Sequence, residues 1–243
     1  MTNQQTSPDS LTESHISEHQ VAELNQRLLA LNAEARIQLV LEQLPGMHVM
    51  TSSFGVQAAV MLHLLTQAKP DIAVVLLDTG YLFPETYRFI DDLQNRLALN
   101  LQVYSARMSP AMQEARFGQR WQQGVEGLEA FNHDNKVEPL KRAFTDLQVG
   151  TWFTGIRRDQ GESRIATPFV SYGEGCFKVA PIADWSDRDI YDYLHRFDLP
   201  YHPLWYEGYV SIGDVHTTQS LHEVDDVSKT RFFGLKRECG IHA

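Results

Sequence analysis

Apolar positions change their spacing several times along the chain, and the changes divide it into elements. Residues 1–17 are polar and without period, which predicts a mobile leader. Helical spacing follows: Ile37, Val40, Leu41 and Leu44 recur at i, i+3, i+4 and i+7, with Asn32 as N-cap and Pro45-Gly46 as a stop. From Pro45 short β-rich runs alternate with helical ones. The spacing predicts strands at 48–51, 72–77, 101–104, 152–155 and 177–181, and helices at 56–65, 84–97, 137–147 and 186–196. The run IAVVLL at 72–77 is apolar without a break, as in a strand covered on both faces. Alternation of this kind needs βαβ crossovers, so the predicted fold class is α/β, a parallel-rich twisted sheet with helices on both faces. That domain spans 18–200. Residues 201–243, rich in Gly, His, Tyr and Trp and lacking clean periodicity, are expected to form a C-terminal arm, partly ordered and partly mobile.

Composition narrows the classes. Of 243 residues, 43% are hydrophobic and 21% charged, the averages of a folded globular protein. The formal charge of −10 argues against a nucleic-acid surface, which needs clustered Lys and Arg. No apolar stretch is long enough for a membrane span, and no basic region with an apolar run opens the chain, so a cytoplasmic protein is expected. Positive residues do gather locally, at Arg157, Arg158 and Arg164 and again at Arg231, Lys236 and Arg237. Singly each reads as a solvated charge; together they would suit a small anion. The two cysteines, Cys176 and Cys239, form no CxxC pair, so zinc knuckles, disulfide frameworks and four-cysteine clusters lack ligands.

Four segments carry candidate chemistry. Thr51, Ser52, Ser53, Phe54, Gly55, Val56 and Gln57 join the first strand to a helix, where exposed N–H groups and the helix dipole favour an anion. An ordinary helix cap fits the same residues. Asp78, Thr79, Gly80 and Tyr81 end the second strand and would flank the same crevice, since ligands of open α/β sheets bind beyond the carboxyl ends of strands. A simple turn, with Pro84 starting a helix, also accounts for them. Gly155, Arg157, Arg158 and Arg164 follow a later strand and bring guanidinium groups suited to phosphate or sulfonate oxygens. Lys136, Lys141 and Arg142 could add to this, although a solvated helix face describes them better. Last, Cys239 stands near the C-terminus beside Lys236, Arg237 and His242, groups that raise the thiolate fraction of a thiol. Cys176, just before the strand expected at 177–181, reads as a buried structural residue.

SSFG with Val56-Gln57, LDTGYLFPETYRF, KVEPLKRA, WFTGIRRDQ, YHPLW with EGY, and KRECGIH together resemble the phosphoadenylylsulfate (PAPS) reductases, in the expected order from about residue 30 onward. The resemblance implies an adenine-nucleotide α-hydrolase-like fold with a modified pyrophosphate loop at 52–57. It implies that Cys239 attacks the sulfonate sulfur of PAPS to give an S-sulfocysteine, which thioredoxin or glutaredoxin then reduces, in a homodimer without bound cofactor. The two electrons must come from a dithiol elsewhere, because one thiol can only accept the sulfonate. Adenylylsulfate reductases look similar but carry four cluster cysteines; this chain has Phe131-Asn132-His133-Asp134-Asn135 and Asp214-Val215-His216-Thr217 at those places. A cluster-free adenylylsulfate reductase, and an ATP pyrophosphatase or sulfurtransferase of the same fold, are the rival readings. Against the latter, the loop reads SSFGVQ, where an ATP-cleaving loop would read SGGxDS.

Overall fold

The alternating runs become one sheet. The computed structural model describes residues 17–235 and 241. Its strands are β1 (Met47–Thr51), β2 (Ala73–Asp78), β3 (Asn100–Ser105), β4 (Val149–Phe153), β5 (Val170–Gly173) and β6 (Cys176–Val179), in the order β3-β2-β1-β4-β6-β5. Neighbours are parallel except β5 and β6, an antiparallel hairpin. The apolar spacing predicts no strand at 170–173. Glu174 and Gly175, with φ of 50° and 82°, supply the two left-handed residues that a tight hairpin turn needs, and Cys176 therefore opens β6 instead of preceding it. The fourth strand ends at Phe153, two residues before the expected boundary, which puts Gly155 in the loop beyond it.

Among the described residues eight α-helices surround the sheet: α1 (Glu18–Leu29), α2 (Ala33–Gln43), α3 (Ala58–Ala68), α4 (Pro84–Leu97), α5 (Pro110–Phe117), α6 (Gly124–Asn132), α7 (Glu138–Asp146) and α8 (Asp187–Arg196). Asn32 caps α2 by accepting from the Ala35 N–H at 2.9 Å. α4 begins and ends where the spacing predicts. Pro84 stands at its start, Glu85 and Arg96 oppose the helix dipole, and Ala98 closes it in the left-handed conformation. α5 and α6 lie in a stretch for which no helix is predicted.

Alternation along each strand divides the apolar residues between the two faces. Met50, Val74, Leu76, Phe153, Phe177 and Val179 join Ile37 of α2, Leu62 of α3, Phe89 of α4 and Ile190 of α8 in the main core. Val49, Ala73 and Trp152 point to the other face, where Leu140 and Phe144 of α7 cover them. Among the described residues no helix is long and apolar enough to cross a membrane.

The strand order carries the functional consequence. From β1 the chain winds through β2 to β3 on one side, then returns to lay β4 on the other side of β1. The loops after β1 and β4 therefore part company, leaving a crevice at the carboxyl ends of the two strands.

Candidate functional site

That crevice is a cleft of about 340 Å³, within the range of small-molecule sites. Its floor is the loop after β1. Phe54, with φ of 49°, buries its side chain completely in the main core, so it anchors the loop and does not face a ligand. Its N–H donates to Ser52 Oγ at 3.1 Å. With Phe54 pinned below, Ser52, Ser53 and Gly55 line the cleft at the entry to α3. Main-chain N–H groups at a helix start favour anions.

From β4, Gly155, Arg157 and Arg164 reach the same cleft. Arg157 is almost wholly buried, and its guanidinium already donates to Gln57 Oε1 at 2.9 Å, Asp187 Oδ1 at 2.6 Å and the Trp185 carbonyl at 3.1 Å. It stitches the loop after β1 to the start of α8. Arg164 donates to the side chain of Gln160, which also lines the cleft. Arg158 turns away: it donates to the Thr167 carbonyl at 2.9 Å, lies 4.8 Å from the Phe169 ring, and is not among the lining residues.

The loop after β2 divides in the same way. Asp78 accepts from the Gly80 N–H at 2.8 Å and from the Tyr87 hydroxyl at 2.7 Å, and Gly80 (φ 75°) lies where a Cβ would come 2.5 Å from Pro110. Both residues build the turn and neither lines the cleft, whereas Thr79 between them does. Tyr87, whose hydroxyl donates to that carboxylate, has its pKa raised, first by partial desolvation and then by the bond to Asp78.

Lys136 departs from the solvated helix face that the local pattern favours. The chain from α6 to α7 is interrupted by one π-helical turn, His133–Val137, just before Pro139, which has no N–H to continue the α-helical ladder. The extra residue rotates Lys136 inward, where it is 8% exposed and lines the cleft. Asn135 beside it exchanges amide hydrogen bonds with Gln113 of α5 at 2.8 and 3.0 Å. Lys141 stays exposed on the outer face, and Arg142 is held by Glu138 and the Ser105 carbonyl.

The arm supplies the far wall. Residues 201–235 fold with short 3-10 turns against the loops that follow β1 and β2, with the His202 N–H bonded to the Val56 carbonyl at 3.0 Å and the Val215 N–H to the Tyr81 carbonyl at 2.8 Å. Arg231 lines the cleft, donating to Ser211 Oγ at 3.3 Å, and its guanidinium lies so close to Gly213 that a Cβ there would meet it at 2.3 Å. Asp214, which no local pattern marks, is completely buried beside Lys136 and Thr79. Burial pushes its pKa up, but the Lys136 ammonium and the two hydrogen bonds outweigh this and hold it below the ordinary carboxylate range. Lys236, Arg237, Cys239 and His242 lie outside the described residues. Ile241 is described: it lines the cleft and packs on the Val49, Leu140 and Trp152 cluster. Among the described residues no group of three or more His, Cys, Asp or Glu side chains converges as a metal site.

A parallel sheet that parts at its switch point over a loop opening a helix, with Lys and Arg in the cleft wall, defines an α/β fold of the kind found in nucleotide-binding proteins. Known proteins narrow the class. Residues 47–220 match the family described as phosphoadenosine phosphosulfate reductase domain. The phosphoadenosine 5′-phosphosulfate reductase of Vibrio cholerae is 57% identical over 222 residues, 91% of this chain and 88% of that one. Its counterpart in Erwinia tasmaniensis is 58% identical, with 91% of each chain covered. A crystal structure of PAPS reductase from Candida auris, in a phosphate complex, superposes with a TM-score of 0.75 at 25% identity, covering 85% of this chain and 99% of that one. FMN adenylyltransferase of Candida glabrata shares the fold alone, with a TM-score of 0.55 at 17% identity, over 88% of this chain and 73% of that one. This chain belongs to the phosphoadenosine phosphosulfate reductase family, and is an oxidoreductase acting on a sulfur group.

Proposed function

We propose that the chain reduces 3′-phosphoadenylylsulfate to sulfite and adenosine 3′,5′-bisphosphate, with Cys239 as nucleophile and thioredoxin or glutaredoxin as reductant. The observation that carries the reading is the seat of Ile241 in the cleft formed by the 52–57 loop, Lys136 and Arg231. Cys239 stands two positions before Ile241 in the sequence, a span of at most about 7 Å, and this proximity along the chain supports it as the nucleophile.

In this reading the main-chain N–H groups at the start of α3 hold a phosphate. Arg164, Arg231 and Lys136 surround the remaining charge. Lys236, Arg237 and His242 favour the thiolate of Cys239. That thiolate attacks the sulfonate sulfur. A sulfur–sulfur bond forms, the sulfur–oxygen bond to the 5′-phosphate breaks, and the phosphate leaves with the electron pair. One thiol of a dithiol then attacks the Cys239 sulfur, releasing sulfite and leaving a mixed disulfide; its second thiol displaces the Cys239 thiolate and the partner leaves as a disulfide, so the two electrons come from the partner. The same reading takes the protein as a homodimer in the cytosol, with no nucleic-acid or membrane partner and no bound cofactor.

Incubation with PAPS alone, followed by mass spectrometry of the intact protein and its peptides, tests the mechanism. One sulfonate adduct on Cys239 is expected. Cys239→Ser should bind adenosine 3′,5′-bisphosphate yet make no sulfite. Sulfite produced at full rate by a protein that never acquires the adduct would overturn the reading.

A further inference from the structure

Lys136 and Asp214 come from distant parts of the chain and meet in the cleft wall. The ammonium donates to Asp214 Oδ2 at 2.6 Å, and the other carboxylate oxygen accepts from Thr79 Oγ1 at 2.5 Å. All three residues line the cleft. The rings of Phe131 and Phe232, at 5.8 and 5.5 Å, flank the ammonium. An ammonium has three N–H donors, and one is committed to Asp214. Aromatic faces attract the cation without accepting a conventional hydrogen bond, so they confine it laterally.

Asp214 is itself held from several directions. Its backbone bridges to Leu82 in the loop before α4, and its carbonyl accepts from the Thr217 N–H at 3.1 Å. With no exposed surface it cannot follow a shifting partner into solvent. The pair thus fixes the lysine nitrogen to one point of the wall. Lys136 precedes α7, whose Leu140 belongs to the cluster on which Ile241 packs, so Lys136 stands on the side of the cleft where Ile241 is seated.

We propose that Asp214 is a positioning residue: it fixes the ammonium of Lys136 where negative charge develops on the 5′-phosphate oxygen as the sulfur–oxygen bond breaks. The inference rests on the function proposed above and assigns Asp214 a part in it. In the ground state the Lys136–Asp214 pair is neutral as a unit and adds little net attraction for the nucleotide. In the transition state a correctly placed donor meets charge that did not exist before, and only such differential contacts raise kcat. Asp214 is therefore expected to act on kcat more than on KM.

Asp214→Asn keeps the shape and an acceptor for Lys136 or Thr79 but removes the charge that holds the ammonium back. Sulfite formation from PAPS with saturating thioredoxin should show kcat reduced by at least about tenfold, with KM for PAPS unchanged or lower because the ammonium is no longer neutralised. The melting temperature and the binding of adenosine 3′,5′-bisphosphate report separately on fold and cleft. A second comparison, Lys136→Gln against Lys136→Gln with Asp214→Asn, does not depend on the single Asn variant folding. If Asp214 acts through the ammonium alone, the two share one kcat to within about twofold. Wild-type kcat in a folded Asp214→Asn protein, or a further loss in the double variant, would overturn the inference while leaving the reductase reading intact. Wild-type protein that makes no sulfite from PAPS would overturn both.

Discussion

Cys176 is buried at the head of β6, and burial first, then the nearby Glu174, pushes its thiol pKa up. A thiol so placed is a poor nucleophile. Cys176→Ser is accordingly expected to keep turnover close to wild type, measured as sulfite release at saturating PAPS; complete loss of activity would mean that this thiol takes part in the chemistry. Arg36, unlike Cys176, was silent in the sequence. It is 3% exposed, grips Asp184 with two nitrogens at 2.6 and 2.8 Å, and lies 3.8 Å from the Phe169 ring. Nothing in α2 distinguishes such a guanidinium from a solvated one, because its partner lies far along the chain.

At the scale of elements, two glycines let β1 and β4 begin side by side. A Cβ on Gly150 would sit 2.5 Å from the Pro45 carbonyl oxygen, and one on Gly46 2.6 Å from the Gly150 Cα. Both obstacles are backbone, which cannot swing aside. Gly150→Ala should lower stability by about 1–3 kcal/mol, read from the urea midpoint. Gly173→Ala in β5, where a Cβ would meet nothing within 4 Å, should change it little. Equal midpoints for the two variants would show that the strands separate freely there. Elements with local punctuation were legible, α4 above all. The β5–β6 hairpin was marked by Glu174-Gly175, and α5 by Ser109-Pro110, but neither has the apolar spacing that flags an element. The π-turn was not legible, since it arises where a helix reconciles Pro139 with the packing of Asn135 and Lys136.

For the molecule as a whole, one buried and one half-buried histidine make stability depend on pH. His202 accepts the Leu204 N–H at Nδ1 (3.2 Å), so its Nε2 carries the proton toward Thr86 Oγ1 at 3.0 Å, and the ring is held neutral. Burial lowers its pKa from 6.5 to about 4. His216, stacked on Trp121 at 3.7 Å, is likewise lowered by burial to about 4. Between about 4 and 6.5 the unfolded chain binds protons that the folded protein refuses, so this contribution is complete above 6.5 and is lost as pH falls toward 4. The slope is at most about 1.4 kcal/mol per pH unit for each ring. Urea midpoints should be level from pH 8 to 7 and fall steadily from 6.5 to 4.5. A flat profile over that lower range would mean that both rings accept protons in the folded state.

Read alone, the chain determined its α/β class, most strand and helix positions, and the segments that converge on a crevice, because period, caps and turns are local properties that neighbours in sequence settle among themselves. Family membership was legible for the same reason, in motifs such as LDTGYLFPETYRF and WFTGIRRDQ. Tertiary structure alone decided which residues of those motifs face the cleft. Within single loops it divided Thr79 from Asp78 and Gly80, Ser53 from Phe54, and Arg164 from Arg158. It also brought Asp214 to Lys136, a pairing across 78 residues that appears only once the arm closes over the sheet. Desolvation and pairing energies depend on what surrounds a charge in space, and no local pattern carries that information.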